Sequence, residues 1–450
     1  MARKVLVYGL AVAGEAVARA LQAHGYTVLV ADDRPTPAAL ATARQLGIDF
    51  YEAPPASKVA RLVERVELVV PSPGIPEHHP LIEAAARAGV PLRTEIDLAF
   101  EWEQSRPGGP RPVVGITGTD GKTTTTNLAV AMVQASGRTA AAAGNTDVPM
   151  VTAIGTDVDV FVVECTSFRL AYTTVFAPAA ATWLTLAPDH LDWHASLDTY
   201  AAAKARIWAL QQPGDAAIGY AADPVVMAEL AKAPARHVTF AAADADYRRR
   251  GDELVGPRGV IASVASLRRA LPHDVTNALA AAATELESGV AGAEGVAGAL
   301  ASFEGVAHRI SFVAEADGVR YFDDSKATTP HAVVTALRAF DRVVLVAGGR
   351  NKGLDLGSLA DAADHVAAVV AIGEAGPLVA EVFAPHCPVE LVATGMDDAV
   401  AAARRLARPG DVVLLSPACA SFDAYANYAA RGDDFAHEVQ VQVLEEATSR

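Results

Sequence analysis

Short apolar runs alternate along the chain with stretches in which apolar side chains recur every three or four positions. The first run, Lys4 to Tyr8, is followed by Val12, Ala16, Val17, Ala20 and Leu21 at helical spacing, and then by a second run, Thr27 to Ala31. Continuous apolar runs around a segment of helical period predict a βαβ unit whose strands are covered on both faces. The turn after the first strand reads Gly9-Leu-Ala-Val-Ala-Gly14, and Asp32, Asp33 and Arg34 close the second strand. The middle glycine of a dinucleotide fingerprint is missing, so the turn alone is a weak signal for a nucleotide diphosphate. A further strand, Leu68 to Val70, runs into Pro71-Ser-Pro-Gly-Ile-Pro76, and Gln104 to Pro112 has the composition of a linker. From Val113 the pattern restarts as strand, glycine loop and a Thr- and Ala-rich helix beginning at Lys122. A third set has strands near Val319–Phe322, Val343–Ala347, Val369–Ile372 and Val412–Ser416. The expected fold is α/β in three domains: a Rossmann-like domain over 1–108, a central P-loop ATPase-like domain with a mostly parallel sheet over 109–305, and a Rossmann-like domain over 306–450. Alanine is abundant but no fixed-period repeat accompanies it, which argues against a solenoid.

Composition narrows the class. With 450 residues, 51% of them hydrophobic and 20% charged, the chain is long and apolar enough for several packed cores, which excludes disorder as its main state. The net charge of −16 disfavours nucleic acid and anionic membranes as partners, so an anionic ligand must be held by a local site. Three cysteines, Cys165, Cys387 and Cys419, include no Cys-x-x-Cys pair, which argues against a disulfide framework or structural zinc and fits a reducing cytoplasm. The apolar N-terminus is interrupted by Gly9, Gly14 and Glu15, unlike a secretory leader. The charge-free stretch Leu170–Pro188 carries four threonines and two prolines, which suit strands and turns rather than a membrane helix.

The strongest local chemistry is Gly115-Ile-Thr-Gly118-Thr119-Asp-Gly121-Lys122-Thr123-Thr124, set between a strand and a helix. Backbone N–H groups and a helix N-terminus there can cradle phosphates, with Lys122 reaching the β- and γ-phosphates and Thr123 offering its hydroxyl to Mg²⁺. Ile116 stands where the first glycine of a strict Walker motif belongs. The apolar run Val160–Val163 delivers Glu164 at a strand end, where a carboxylate suits either Mg²⁺ or a helix cap. Asn145 reads equally as a turn residue or as a polar contact to substrate. His190 lies in Asp189-His-Leu-Asp-Trp-His194, and Lys204 follows fourteen residues later on an Ala-rich helix. A lysine near a magnesium site requires a depressed pKa or conversion to a carbamate. In the last domain Tyr321-Phe-Asp-Asp324-Ser-Lys326-Ala-Thr328, Gly348-Gly-Arg-Asn-Lys352-Gly and Ser416-Pro-Ala-Cys-Ala-Ser421 each end a strand. Together they suggest a pocket for a small carboxylate.

These segments resemble those of the Mur ligases of peptidoglycan synthesis over nearly the whole chain. The phosphate loop, Glu164 and the His190 to Lys204 segment are similar to motifs of the whole superfamily, folylpolyglutamate synthetases included. Asp324-Ser-Lys-Ala-Thr328 and Ser416 to Asp423 are similar to motifs of its D-glutamate-adding branch. The resemblance implies an ATP-dependent amide-bond-forming ligase acting through an acyl phosphate on UDP-N-acetylmuramoyl-L-alanine and D-glutamate, with ATP as co-substrate and two Mg²⁺. It implies phosphate contacts from Gly118, Thr119, Gly121, Lys122, Thr123 and Thr124, one metal on Thr123 and Glu164, and a second on His190 and carbamylated Lys204. Asn277, Arg309 and Asp324 then hold the adenine and ribose end of ATP. Asn145 and His190 line the muramoyl-alanine path, and Asp33 and Arg34 receive the uridine diphosphate. Lys326, Thr328, Lys352, Ser421 and Tyr428 form the D-glutamate pocket. A monomer in the cytoplasm is expected, with the last domain closing on the second. Cys165-Thr166, Asp274, Asn351 and Tyr428 depart from the residues usual in the family. The competing readings are a same-fold ligase for another amino acid and a non-catalytic nucleotide-dependent regulator.

Overall fold

The computed structural model describes residues 3–445 apart from 147, 192 and 352, with side chains described as far as 442. The chain divides into two compact units, Met1–Phe303 and Glu304–Arg450.

The first unit opens with a parallel sheet of β1 (Lys4–Tyr8), β2 (Thr27–Asp32), β3 (Asp49–Glu52) and β4 (Leu68–Pro71) in the order β3-β2-β1-β4. A second sheet contains β5 (Val113–Thr117), β6 (Ala140–Gly144), β7 (Val160–Glu164), β8 (Ala180–Trp183), β9 (Ala216–Tyr220) and β10 (Arg236–Phe240), all parallel, ordered β10-β9-β8-β5-β7-β6. Every residue of β5, β7 and β8 is buried, as continuous apolar runs covered by helices require. Because β5 lies between β7 and β8, the loop after β5 emerges beside the C-terminal end of each, where open α/β sheets bind ligands. A small antiparallel sheet, β11 (Arg248–Arg250), β12 (Glu253–Gly256) and β13 (Gly259–Ser263), follows. Its strands are only three to five residues long, with Leu254 and Val255 of the middle strand buried, and the sequence pattern does not announce them.

One apolar core runs from Val5, Val17 and Leu21 through Ile96 and Phe100 to Val113, Phe161 and Trp183, joining the two parallel sheets. The helix Glu95–Gln104 carries this core and three buried carboxylates. Glu95 pairs with Arg169 at 2.9 Å. Both oxygens of Asp97 accept backbone N–H groups of Thr174, Val175 and Phe176. Glu103 pairs with Arg111 at 2.6 Å, and Arg111 also donates to the carbonyls of Ile154 and Thr156. Gln104–Pro112, a linker by composition, is therefore fastened at its end. An arginine that holds a buried carboxylate and two backbone carbonyls outweighs the local preference of its Pro and Gly neighbours.

The second unit is one six-stranded sheet of β14 (Ser311–Ala316), β15 (Val319–Asp323), β16 (Val343–Gly348), β17 (Val366–Ile372), β18 (Val389–Val392) and β19 (Val412–Ala418), ordered β14-β15-β19-β16-β17-β18. Only β14 runs antiparallel, at an edge. The three polar strand ends noted in the sequence belong to the neighbours β15, β19 and β16, so they share one edge of the sheet. Among the described residues no helix is long and apolar enough to cross a membrane.

Candidate active site

The phosphate loop leaves β5 and enters the helix Lys122–Ala135, whose first residue follows Gly121 in the left-handed region at φ +80° with no side-chain cap. A methyl group on Gly121 would lie 2.5 Å from Asn277 Oδ1, and one on Gly118 would lie 2.8 Å from Leu184 Cβ. Glycine is thus required at both places, and buried Asn277 presses on the loop from the helix Pro272–Ser288. Lys122 Nζ donates to the carbonyls of Gly118 and Thr119 at 2.9 and 2.8 Å. Thr123 and Thr124 occupy the first turn of the helix. Thr119 is engaged by protein: its N–H donates to Thr185, and its hydroxyl bonds Ala187 and Tyr200, so it fastens the loop.

Register pairing sets Glu164 opposite Ile116, one strand away from the loop. The carboxyl is 2% exposed; Oε1 accepts from Asn145 Nδ2 at 3.0 Å, while buried Oε2 has no hydrogen-bond partner among the described residues. Asn145 is placed by its own N–H, which donates to the Glu164 carbonyl. A buried carboxylate oxygen left unpaired beside a phosphate loop fits a cation ligand. Among the described residues no group of three His, Cys, Asp or Glu side chains is gathered in ligating range. A divalent ion here would draw most of its ligands from phosphate and water, as Mg²⁺ does.

Lys204 sits in the last turn of the helix Leu197–Ala205, which begins in a capping box between Ser196 and Thr199. It is 1% exposed, its Nζ donates to Gly118 O at 2.7 Å, and it lies 4.4 Å from the Tyr200 ring centre. Burial, reinforced by the Lys122 charge, pushes its ammonium pKa well below the usual lysine range. Two lysines therefore converge on one carbonyl of the phosphate loop, and the buried one favours a neutral amine. His190 has φ +55°, an uncommon conformation for a side-chain-bearing residue, and its ring meets Phe168 edge-on with centroids 4.6 Å apart. Its Nε2 is 3.2 Å from Asp189.

In the N-terminal sheet, Gly9 carries φ +90°, and a Cβ on Gly14 would lie 1.9 Å from the Gly9 carbonyl, so the turn depends on both glycines. Asp32 holds it by accepting from the N–H groups of Leu10 and Arg34. Asp33 and Arg34 are exposed beside it. Asp33 accepts from Tyr8 OH at 2.7 Å and bonds His79 Nε2 at 2.9 Å.

In the second unit, Asp324 accepts from Ser416 Oγ at 2.7 Å and from Ile310 N at 3.2 Å. Burial pushes its carboxyl up to about 7, against the opposing pull of Ser416 and Arg309. Lys326 lies 5.2 Å from the Tyr428 ring centre, Thr328 is anchored by its N–H on the Lys326 carbonyl, and Ser421 is buried. Lys352 lies outside the described residues. The brace of this cluster is absent from the sequence reading. Buried Arg431 donates to Ser325 Oγ and to the carbonyls of Ser325 and Cys419, Ser325 donates to the Tyr428 carbonyl, and His308 bonds Asp323 at 2.6 Å. The bonds of Ser325 to Arg431 and Tyr428 span 106 and 103 positions, which no local spacing connects.

Three family models match the chain: a Mur ligase MurD-like N-terminal domain over residues 3–94, a Mur ligase middle domain over 116–284 and a Mur ligase glutamate ligase domain over 308–419. A UDP-N-acetylmuramoylalanine–D-glutamate ligase of Frankia casuarinae is 44% identical, covering 97% of this chain and 94% of that protein. One of Pelotomaculum thermopropionicum is 39% identical over 96% of each chain. Among solved structures, the UDP-N-acetylmuramate–alanine ligase of Thermotoga maritima aligns with a TM-score of 0.57 at 19% identity, covering 98% of this chain and 100% of that one, a likeness of fold.

Proposed function

The chain belongs to the Mur ligase family, and from that premise we propose that it joins D-glutamate to UDP-N-acetylmuramoyl-L-alanine, converting ATP to ADP and phosphate. The observation that carries the reading is the junction of three features at the end of β5. These are a glycine-bounded helix N-terminus, two lysines converging on Gly118 O, and a buried carboxylate with one oxygen unpaired. That set serves phosphoryl transfer, in which positioning and charge neutralisation do most of the work.

We assign residues 1–108 to the uridine nucleotide, 109–305 to ATP and 306–450 to the amino acid, within a cytoplasmic enzyme. Mg²⁺ held by Thr123 and Glu164, with a second ion on His190 and Lys204 carbamate, would supply neutralisation of the phosphate oxygens. Lys122 orients the γ-phosphate, and the helix N-terminus receives its negative charge. Asn145 and His190 hold the muramoyl-alanine carboxylate for attack on the γ-phosphorus, which yields an acyl phosphate and ADP. Lys326, Thr328, Ser421 and Tyr428 present D-glutamate, whose deprotonated amine attacks the acyl carbon and displaces phosphate. Carbamate formation at Lys204 would proceed from the neutral amine, which burial favours over the ammonium: the amine adds CO₂, releases one proton and becomes an anion. Asn277, Arg309 and Asp324 are assigned to the adenosine end of ATP.

The acyl phosphate is tested by oxygen transfer. With ¹⁸O in the substrate carboxylate, one labelled oxygen is expected in the released phosphate, detected by mass spectrometry. Unlabelled phosphate alongside normal product would overturn the mechanism.

A further inference from the structure

The loop that carries His190 is fastened at three points to other parts of the first unit. Trp193 Nε1 donates to Pro73 O at 2.9 Å. Glu77 N donates to Trp193 O at 3.3 Å. His194, whose side chain is completely buried, lies between Glu77 Oε1 at 2.9 Å from Nδ1 and Ser167 Oγ at 2.8 Å from Nε2. A carboxylate only accepts, so Nδ1 carries a proton and donates to Glu77, while Nε2 shares a hydrogen bond with the Ser167 hydroxyl. The other Glu77 oxygen accepts from Ala195 N.

Each anchor leads to a different part of the site. Ser167 starts the short helix Ser167–Leu170, three residues after Glu164. His194 N and Trp193 N both donate to His190 O, closing the tight turn that sets the His190 conformation. Glu77 lies two residues before His79, whose Nδ1 accepts from Leu81 N and whose Nε2 therefore donates to Asp33. Phe168 fills the space between, with ring centroids 4.6, 4.9 and 5.8 Å from those of His190, Trp193 and His194.

We propose that Glu77, His194 and Ser167 are positioning residues that lock the His190 loop to the Pro73–His79 loop. The nucleotide end and the reacting carboxylate of one long substrate are then held at a fixed separation. The inference rests on the functional reading above and deepens it. It explains why a buried histidine is joined to a partly exposed glutamate although neither belongs to the phosphate loop or a strand end: they set a distance. A fully paired polar chain specifies one geometry where apolar packing would tolerate several.

The test compares UDP with UDP-N-acetylmuramoyl-L-alanine by calorimetry, in the wild type and in His194→Ala, Glu77→Gln and Trp193→Phe, alongside steady-state kinetics. UDP engages one loop only, so its affinity is expected within about twofold of the wild type, whereas the affinity of the long ligand falls about tenfold and kcat falls about 10- to 100-fold, because small misplacements are costly in a near-attack geometry. The KM for ATP stays level. Trp193→Phe keeps the aromatic packing and removes one hydrogen bond, so it reports even if His194→Ala fails to fold, with a smaller loss confined to the long ligand. Equal loss of UDP and the long ligand, or no loss of either, overturns the inference while the ligase reading stands. A wild type that binds no nucleotide sugar overturns both.

Discussion

Gly121→Ala concentrates the logic of the phosphate loop in one methyl group. The residue has φ +80°, and the added Cβ would lie 2.5 Å from Asn277 Oδ1 and 3.1 Å from Leu184 Cδ1. Holding alanine in the left-handed region costs about 1–2 kcal/mol. Overpacking against a buried neighbour adds about 1–3 kcal/mol. Without nucleotide the loop escapes part of this by moving, so the penalty falls on binding, which requires the original shape. A loss of about 2–3 kcal/mol lowers ATP affinity about 30- to 150-fold. If Asn277 swings away, the backbone part of about 1–2 kcal/mol remains and the loss is about 5- to 30-fold. Calorimetric titration with ATP in Mg²⁺ reads the effect directly, with thermal unfolding to check that the fold is intact. An ATP affinity within about twofold of the wild type would refute the reasoning, since neither strain nor contact would then bear on the phosphate-binding shape.

Gly298 provides the opposite case: it lies inside the helix Ala293–Ser302, and a Cβ there meets nothing within 4 Å. Gly298→Ala should therefore stabilise the protein by about 0.5–1 kcal/mol, read as a raised denaturation midpoint. Glu285 is buried with both carboxylate oxygens unpaired, and burial pushes its pKa well above the usual carboxylate range. Between the unfolded and folded values the native state holds the extra proton, so stability falls as pH rises through that window; Glu285→Gln should flatten this slope in denaturant titrations at several pH values. Asp97→Ala strips the acceptor from three backbone N–H groups at Thr174, Val175 and Phe176, with an expected cost of about 3–5 kcal/mol in unfolding free energy; an unchanged midpoint would contradict that role. Lys204→Ala should lower kcat at least about 100-fold, with partial recovery on adding a short carboxylic acid; full activity without rescue would discard the carbamate.

Much of the fold is written in local pattern. Val113–Thr117, Val160–Glu164 and Val343–Gly348 are buried throughout because both faces of their sheets are covered, and the apolar runs that fill them up to a polar last residue in the first two are visible without any knowledge of partners. The phosphate loop is legible for a related reason: Gly118, Gly121 and Lys122 do their work within a few residues of one another. What stays hidden is whatever depends on distant pairing. Arg111 turns a linker composition into a fixed joint through acceptors at Ile154 and Thr156. The Arg431 brace, the His79–Asp33 bond and the Glu77–His194–Ser167 chain join residues from different elements, so no local pattern announces the pairing even where one partner lies in a motif. Thr119 illustrates the converse, since a residue inside a motif is used by the protein itself.

The most direct measurement is phosphate release from ATP with UDP-N-acetylmuramoyl-L-alanine and each of D-glutamate, L-glutamate, L-lysine and meso-diaminopimelate, omitting every substrate in turn. The account predicts release that requires ATP, the nucleotide sugar and D-glutamate together. Equal release with another amino acid would contradict the assignment of Lys326, Thr328 and Ser421, and ATP binding without any substrate-dependent release would contradict the ligase itself.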